Sequence, residues 1–132
     1  MPPLSPHFFV RDLQRSIAFY RDGMGFELRA AHPPDNPVYA SLDRGEVHIM
    51  LTPLGESFGG WPLAAAAQRE RAGHGGATTL YIEGHDLEAE LERAIQHGAT
   101  LIDPIADRPW GQREFSIADP DGFWWSVWSH TP

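Results

Sequence analysis

His7 and His48 carry imidazole nitrogens, and Glu83 and Glu114 carboxylate oxygens, which are donors that divalent metal ions take. An ion held by such donors polarises a substrate oxygen. A second group of residues suits adhesion. Phe9, Tyr81, Trp110, Trp124 and Trp128 offer flat, rigid ring surface that attracts other rings by stacking and organic cations through the ring face. Taken singly, each histidine reads as a hydrogen-bonded pocket residue and each aromatic as core. A binding surface requires several of them to converge on one face.

Convergence depends on the strands that carry them. Residues 114–118, the turn Asp119-Pro120-Asp121-Gly122 and residues 123–128 read as strand, tight turn and strand: proline presets φ, glycine accepts positive φ, and the flanks are aromatic and β-branched. Alternation in the last strand sends Trp125 and Val127 toward a helix and Trp124, Ser126 and Trp128 to the opposite side. The same rule turns Phe8 and Val10 inward and leaves Ser5, His7 and Phe9. It turns Val47, Ile49 and Leu51 inward and leaves His48 and Met50, and it turns Leu80 and Ile82 inward and leaves Thr79, Tyr81 and Glu83. With Trp110 ahead of the penultimate strand, these outward residues make the expected ligand-binding wall.

The order of features occurs twice. Phe8-Phe9-Val10 leads to Asp12-Leu13 and on to Gly25, and Leu80-Tyr81-Ile82 leads to Asp86-Leu87 and on to Gly98. The aspartates are 74 positions apart and the glycines 73, so a structural unit is repeated in tandem. Asp12 and Asp86 are expected to cap helices. Leu87, Leu91, Ala94 and Ile95 fall on one helical face, and Gly23 and Gly98 are expected to end the helices in left-handed conformation. Strands are expected over 38–42 and 47–51 in the first unit and over 100–102, 114–118 and 123–128 in the second. The fold expected is α+β: two βαβββ units, residues 4–53 and 77–129, whose sheets curve around a cleft. Residues 54–76, rich in glycine with an alanine run, read as linker and lid, and residues 32–37, with three prolines, as a loop.

The 132 residues are read as one domain. Without cysteine the chain has no disulfide, thiolate nucleophile or Cys-bound metal. A net charge of −8 repels polyanions and favours a cationic ligand over nucleic acid. No stretch approaches the roughly 20 apolar residues of a membrane span, and the N-terminal residues lack an export pattern, so cytoplasmic residence without membrane partners is expected.

The motifs Phe9-Val10-Arg11-Asp12-Leu13, Ser16-Ile17-Ala18-Phe19-Tyr20 and Asp119-Pro120-Asp121-Gly122, in a doubled βαβββ order, resemble the vicinal-oxygen-chelate superfamily of glyoxalases, bleomycin-resistance proteins and extradiol dioxygenases. Pro109-Trp110-Gly111 with Arg113-Glu114-Phe115 is most similar to the bleomycin-resistance branch, which implies antibiotic resistance by sequestration and a homodimer whose units jointly build each cleft. The resemblance also implies that the metal-ligand positions of the enzymes fall at or next to Ser5, Met50, Thr79 and Ser126. Hydroxyls and a thioether are poor donors for these ions. The expectation is therefore a metal-free, non-catalytic protein that binds an aromatic, cationic small molecule without a cofactor. The alternative is a divalent-metal enzyme with a displaced site at His7, His48 and Glu114.

Overall fold

The computed structural model describes residues 2–54 and 78–132. The reading of residues 54–76 as linker and lid falls outside these residues, Leu54 apart. The described chain forms two compact units, each of the order β-α-β-β-β. In the first, β1 (His7–Val10) leads through α1 (Leu13–Ala18) to β2 (Glu27–His32), β3 (Tyr39–Arg44) and β4 (Val47–Pro53). In the second, β5 (Thr79–Glu83) leads through α2 (Leu87–Gln96) to β6 (Thr100–Asp107), β7 (Gln112–Ala118) and β8 (Trp124–His130).

Both helices begin where an aspartate can satisfy first-turn amides. Asp12 accepts from the Arg15 N–H at 3.1 Å and Asp86 from the Ala89 N–H at 3.2 Å. Glu90 reinforces the second start by accepting from the amides of His85 and Asp86 at 2.7 and 3.1 Å. The ends differ from expectation in one respect. After α1 the chain widens into a π-helical turn, Phe19–Gly23, and the left-handed residue is Gly25 (φ +75°) rather than Gly23. The wider turn absorbs one extra residue, so the Phe26 amide reaches back to the Tyr20 carbonyl, 2.9 Å away, before the chain reverses. In α2, Leu87 and Ala94 are buried while Ile95 is 43% exposed, contrary to its expected place in the core. At 100° per residue Ile95 stands at the rim of the stripe that Leu87, Leu91 and Ala94 define.

Each unit has a four-stranded mixed sheet, ordered β1-β4-β3-β2 and β5-β8-β7-β6. In each sheet the first pair is parallel and the other two antiparallel. Alternation works as expected: Phe8, Val10, Ala40, Leu42, Ile49 and Leu51 are buried in the first unit, and Ile82, Phe115, Ile117, Trp125 and Val127 in the second. Two edges extend beyond the segments expected. His32 belongs to β2, opposite Tyr39, instead of opening a loop. β6 runs on through Pro104 because it is an edge strand, where a register shift between Asp103 and Ala106 removes the need for a proline N–H. No helix among the described residues is long and apolar enough to cross a membrane.

Between β5 and α2 the backbone passes so close to β8 that only glycine fits. A Cβ on Gly84 would lie 2.7 Å from Val127 Cγ1 and 2.8 Å from Glu90 Oε2, the atom that caps α2. Gly84→Ala is expected to cost about 1–3 kcal/mol as overpacking, read as a lower urea midpoint with an unchanged slope.

Candidate ligand-binding site

In the second unit the strand register arranges the side chains opposite α2 in three rows. Glu83, Trp128 and Glu114 form one row across β5, β8 and β7; Tyr81, Ser126 and Ser116 form the next; Thr79, Trp124 and Ala118 form the third. Tyr81 is 56% exposed and the two indoles are half-buried, so ring surface remains available on this face. Trp128 is set by an edge-on contact with His130, ring centres 5.3 Å apart. Beneath the rings Ser126 and Ser116 share a hydrogen bond of 2.7 Å between their hydroxyls. Glu114 is buried at 3% exposure, and its Oε1 has no hydrogen-bond partner among the described residues. Arg108 Nε is 3.6 Å from that oxygen, an ionic distance too long for a hydrogen bond.

Trp110 lies off the strands that build this face. It sits in the turn between β6 and β7, where Gly111 takes φ +85°, and it is 63% exposed. The expectation that it flanks the wall came from its place in the sequence; the turn carries it off the strand.

In the first unit His7, Met50 and Ser41 form a row across β1, β4 and β3. His7 Nε2 is 2.8 Å from the hydroxyl of the fully buried Thr52, and the imidazole stacks on Phe9 with ring centres 4.5 Å apart and meets Tyr39 edge-on. His48 lies opposite Asp43, with Nδ1 2.5 Å from Oδ1. A carboxylate only accepts, so Nδ1 carries the proton. The other Asp43 oxygen accepts from Arg29 Nε at 3.0 Å. The hydrogen bond from His48, reinforced by Arg29, holds the Asp43 carboxyl below the ordinary carboxylate range. A depressed folded-state value means that its contribution is complete above the unfolded value, near 4, and is lost as the pH falls through the lower folded value. The stability gap between the wild type and Asp43→Asn, measured by urea unfolding, is therefore expected to be present at about pH 6 and to shrink as the pH falls below about 4.

The resemblance implies metal-ligand positions at or next to Ser5, Met50, Thr79 and Ser126. These four supply three hydroxyls and a thioether, without charge or strong donor character. Ser126 is already engaged by Ser116, and Ser5 Oγ is buried without a hydrogen-bond partner among the described residues. Of the displaced set, His7 is tied to Thr52 and His48 to Asp43 by one ring nitrogen each, and among the described residues there is no group of three His, Asp or Glu side chains that could hold an ion.

Sequence reasoning missed the partners: Thr52, Asp43, Ser116 and Arg108. Two were within reach. Gly45-Glu46 is a two-residue turn that places Asp43 opposite His48, and the turn 119–122 places Ser116 opposite Ser126. Thr52 and Arg108 had no comparable local signal.

The model of the glyoxalase/bleomycin resistance protein/dioxygenase superfamily matches residues 5–127. A bleomycin resistance protein of Geobacillus stearothermophilus is 31% identical over 126 residues, covering 88% of this chain and 87% of that protein. An uncharacterized protein of Mycobacterium tuberculosis is 30% identical over 129 residues, covering 96% of this chain and 73% of the relative. Among solved structures, TioX of Micromonospora sp. superposes with a TM-score of 0.74 at 23% identity, covering 97% of this chain and 98% of its own. A family enzyme of Burkholderia phytofirmans superposes with a TM-score of 0.78 at 21% identity, covering 96% and 97%. The doubled βαβββ order, the strand register and the match over nearly the whole length agree: the chain belongs to the glyoxalase/bleomycin resistance protein/dioxygenase superfamily.

Proposed function

We propose that this protein is a metal-free binding protein that sequesters an aromatic, cationic small molecule without transforming it, in a Trp-lined cleft at the interface of a homodimer. The observation that carries this reading is the face of the second sheet opposite α2, where Trp124, Trp128 and Tyr81 leave ring surface available around a satisfied Ser126–Ser116 hydroxyl pair. An oxygen-chelating enzyme needs an anionic donor at Ser126; here a neutral hydroxyl has turned to its neighbour. Rings supply affinity through stacking, and the net charge of −8 draws cations toward the protein. The similarity to proteins named for bleomycin resistance supports a ligand of this kind and a role in antibiotic resistance.

Titration with metal-free bleomycin is expected to quench tryptophan fluorescence at one equivalent per chain. Absence of quenching across a series of cationic aromatic compounds, with the protein folded by circular dichroism, would remove this reading. Two further outcomes follow from it. After chelation and reloading with zinc, nickel, manganese or iron, dialysed protein is expected to retain well under one equivalent of any of them. Sedimentation is expected to give a dimer.

A further inference from the structure

A buried carboxylate oxygen without a hydrogen bond is a costly thing to build into a sheet, since it gives up its hydration and recovers little. Glu114 is in this position. It is 3% exposed, its Oε1 has no hydrogen-bond partner among the described residues, and Arg108 at 3.6 Å offsets the charge without supplying a directed bond. The residue stands in register beside Trp128, with the exposed Glu83 on the other side of the same indole and the Ser116–Ser126 hydroxyls one row away. An apolar residue at 114 would fill this place at lower cost, so the unused lone pair calls for a donor that the described residues do not provide.

The geometry points to Glu114 as the recognition point for an N–H-bearing cation: a primary or secondary ammonium, or an amidinium, whose N–H is accepted by Oε1 while its charge lies over the Trp128 ring between Glu83 and Glu114. The inference rests on the reading of this face as a ligand-binding surface and adds the class of head group it takes. Arg108 stands near the place such a cation would occupy, and its side chain, 31% exposed, has room to yield. A quaternary ammonium would keep the attraction to ring and charge but leave Oε1 unsatisfied. The site should therefore separate cations by whether they carry a proton to donate.

Calorimetric titration at pH 7 with 2-naphthylmethylamine, its N,N,N-trimethyl derivative and 2-naphthylmethanol tests this. All three present the same ring. The amine is expected to bind roughly ten- to a hundredfold more tightly than the alcohol, the factor that a hydrogen bond to a charged group is worth, with the trimethylated cation between them. Glu114→Gln is expected to remove most of the amine's advantage and to leave the alcohol unchanged. Equal binding of amine and alcohol by the wild type, or an undiminished preference in Glu114→Gln, would overturn the inference while leaving ring stacking intact. Failure of all three probes to bind folded protein would instead strike the ligand-binding reading of the face, and the inference with it. Should Glu114→Gln not fold, the wild-type ranking of amine against trimethylated cation decides alone: a trimethylated probe that binds as well as the amine overturns the proposal.

Discussion

Trp125→Ala is expected to destabilise the protein by about 3–5 kcal/mol, the cost of emptying a buried aromatic site, and to lower the unfolding midpoint by on the order of 10–20 °C. Trp125 is 1% exposed in β8, flanked in register by Leu80 and Ile117, on the side of the sheet where Phe115 and Val127 are also buried. Its removal takes away ring contacts and leaves a cavity that strands tied on both sides cannot close. Thermal unfolding followed by near-ultraviolet circular dichroism measures the effect. A loss below about 1 kcal/mol would mean that the surroundings collapse into the space or that Trp125 is not packed as described.

Trp128→Ala is expected to do the reverse: a smaller loss of stability and a large loss of binding. Three residues along the same strand, Trp128 faces the other way and is half-buried. If rings supply the affinity, truncating a central indole should cost about 2 kcal/mol or more, roughly thirtyfold in Kd. Fluorescence or calorimetric titration with metal-free bleomycin or 2-naphthylmethylamine measures it. The pair of substitutions is informative together, because each serves as the other's control. A variant that unfolds easily yet binds normally when folded, beside one that is stable yet blind to ligand, separates the two faces of one strand. Should Trp128→Ala bind as well as the wild type, stacking on this sheet would not be the source of affinity.

Much of this arrangement was legible in the residues. Asp12 and Asp86 announce helix starts because a carboxylate before an apolar-periodic stretch has few better uses than capping free amides, and both do cap. The inward and outward sides of β1, β4, β5 and β8 followed from period-two alternation, and burial agrees at each inward position but Val47 and Leu80, which are only partly covered. Where the reading failed, the cause was local geometry that residue types do not encode strongly. The π-helical turn moved the left-handed position from Gly23 to Gly25, and the turn before β7 took Trp110 off the sheet. The strand expected over 100–102 runs on through Pro104, which an edge strand with a register shift tolerates.

Sequence by itself determined what short-range geometry controls: the helix caps, the hairpins around Gly45-Glu46 and Asp119-Pro120-Asp121-Gly122, and which residues of each strand share a side. The resemblance further implied chelating positions at or next to Ser5, Met50, Thr79 and Ser126, whose hydroxyls and thioether are a matter of chemical type that folding does not alter. Only the tertiary structure decided which of these residues meet. The parallel pairs β1–β4 and β5–β8 join segments far apart in the chain, 45 positions for the contact of His7 with Thr52, and no turn dictates their register. That register is selected by the burial of whole sheet faces against the helices, and it alone places Glu83 beside Trp128. The enclosure of Glu114 is likewise a property of packing: a carboxylate in a strand reads as solvent-facing until the surrounding chain closes over it, and the same closure gives its unused oxygen a use.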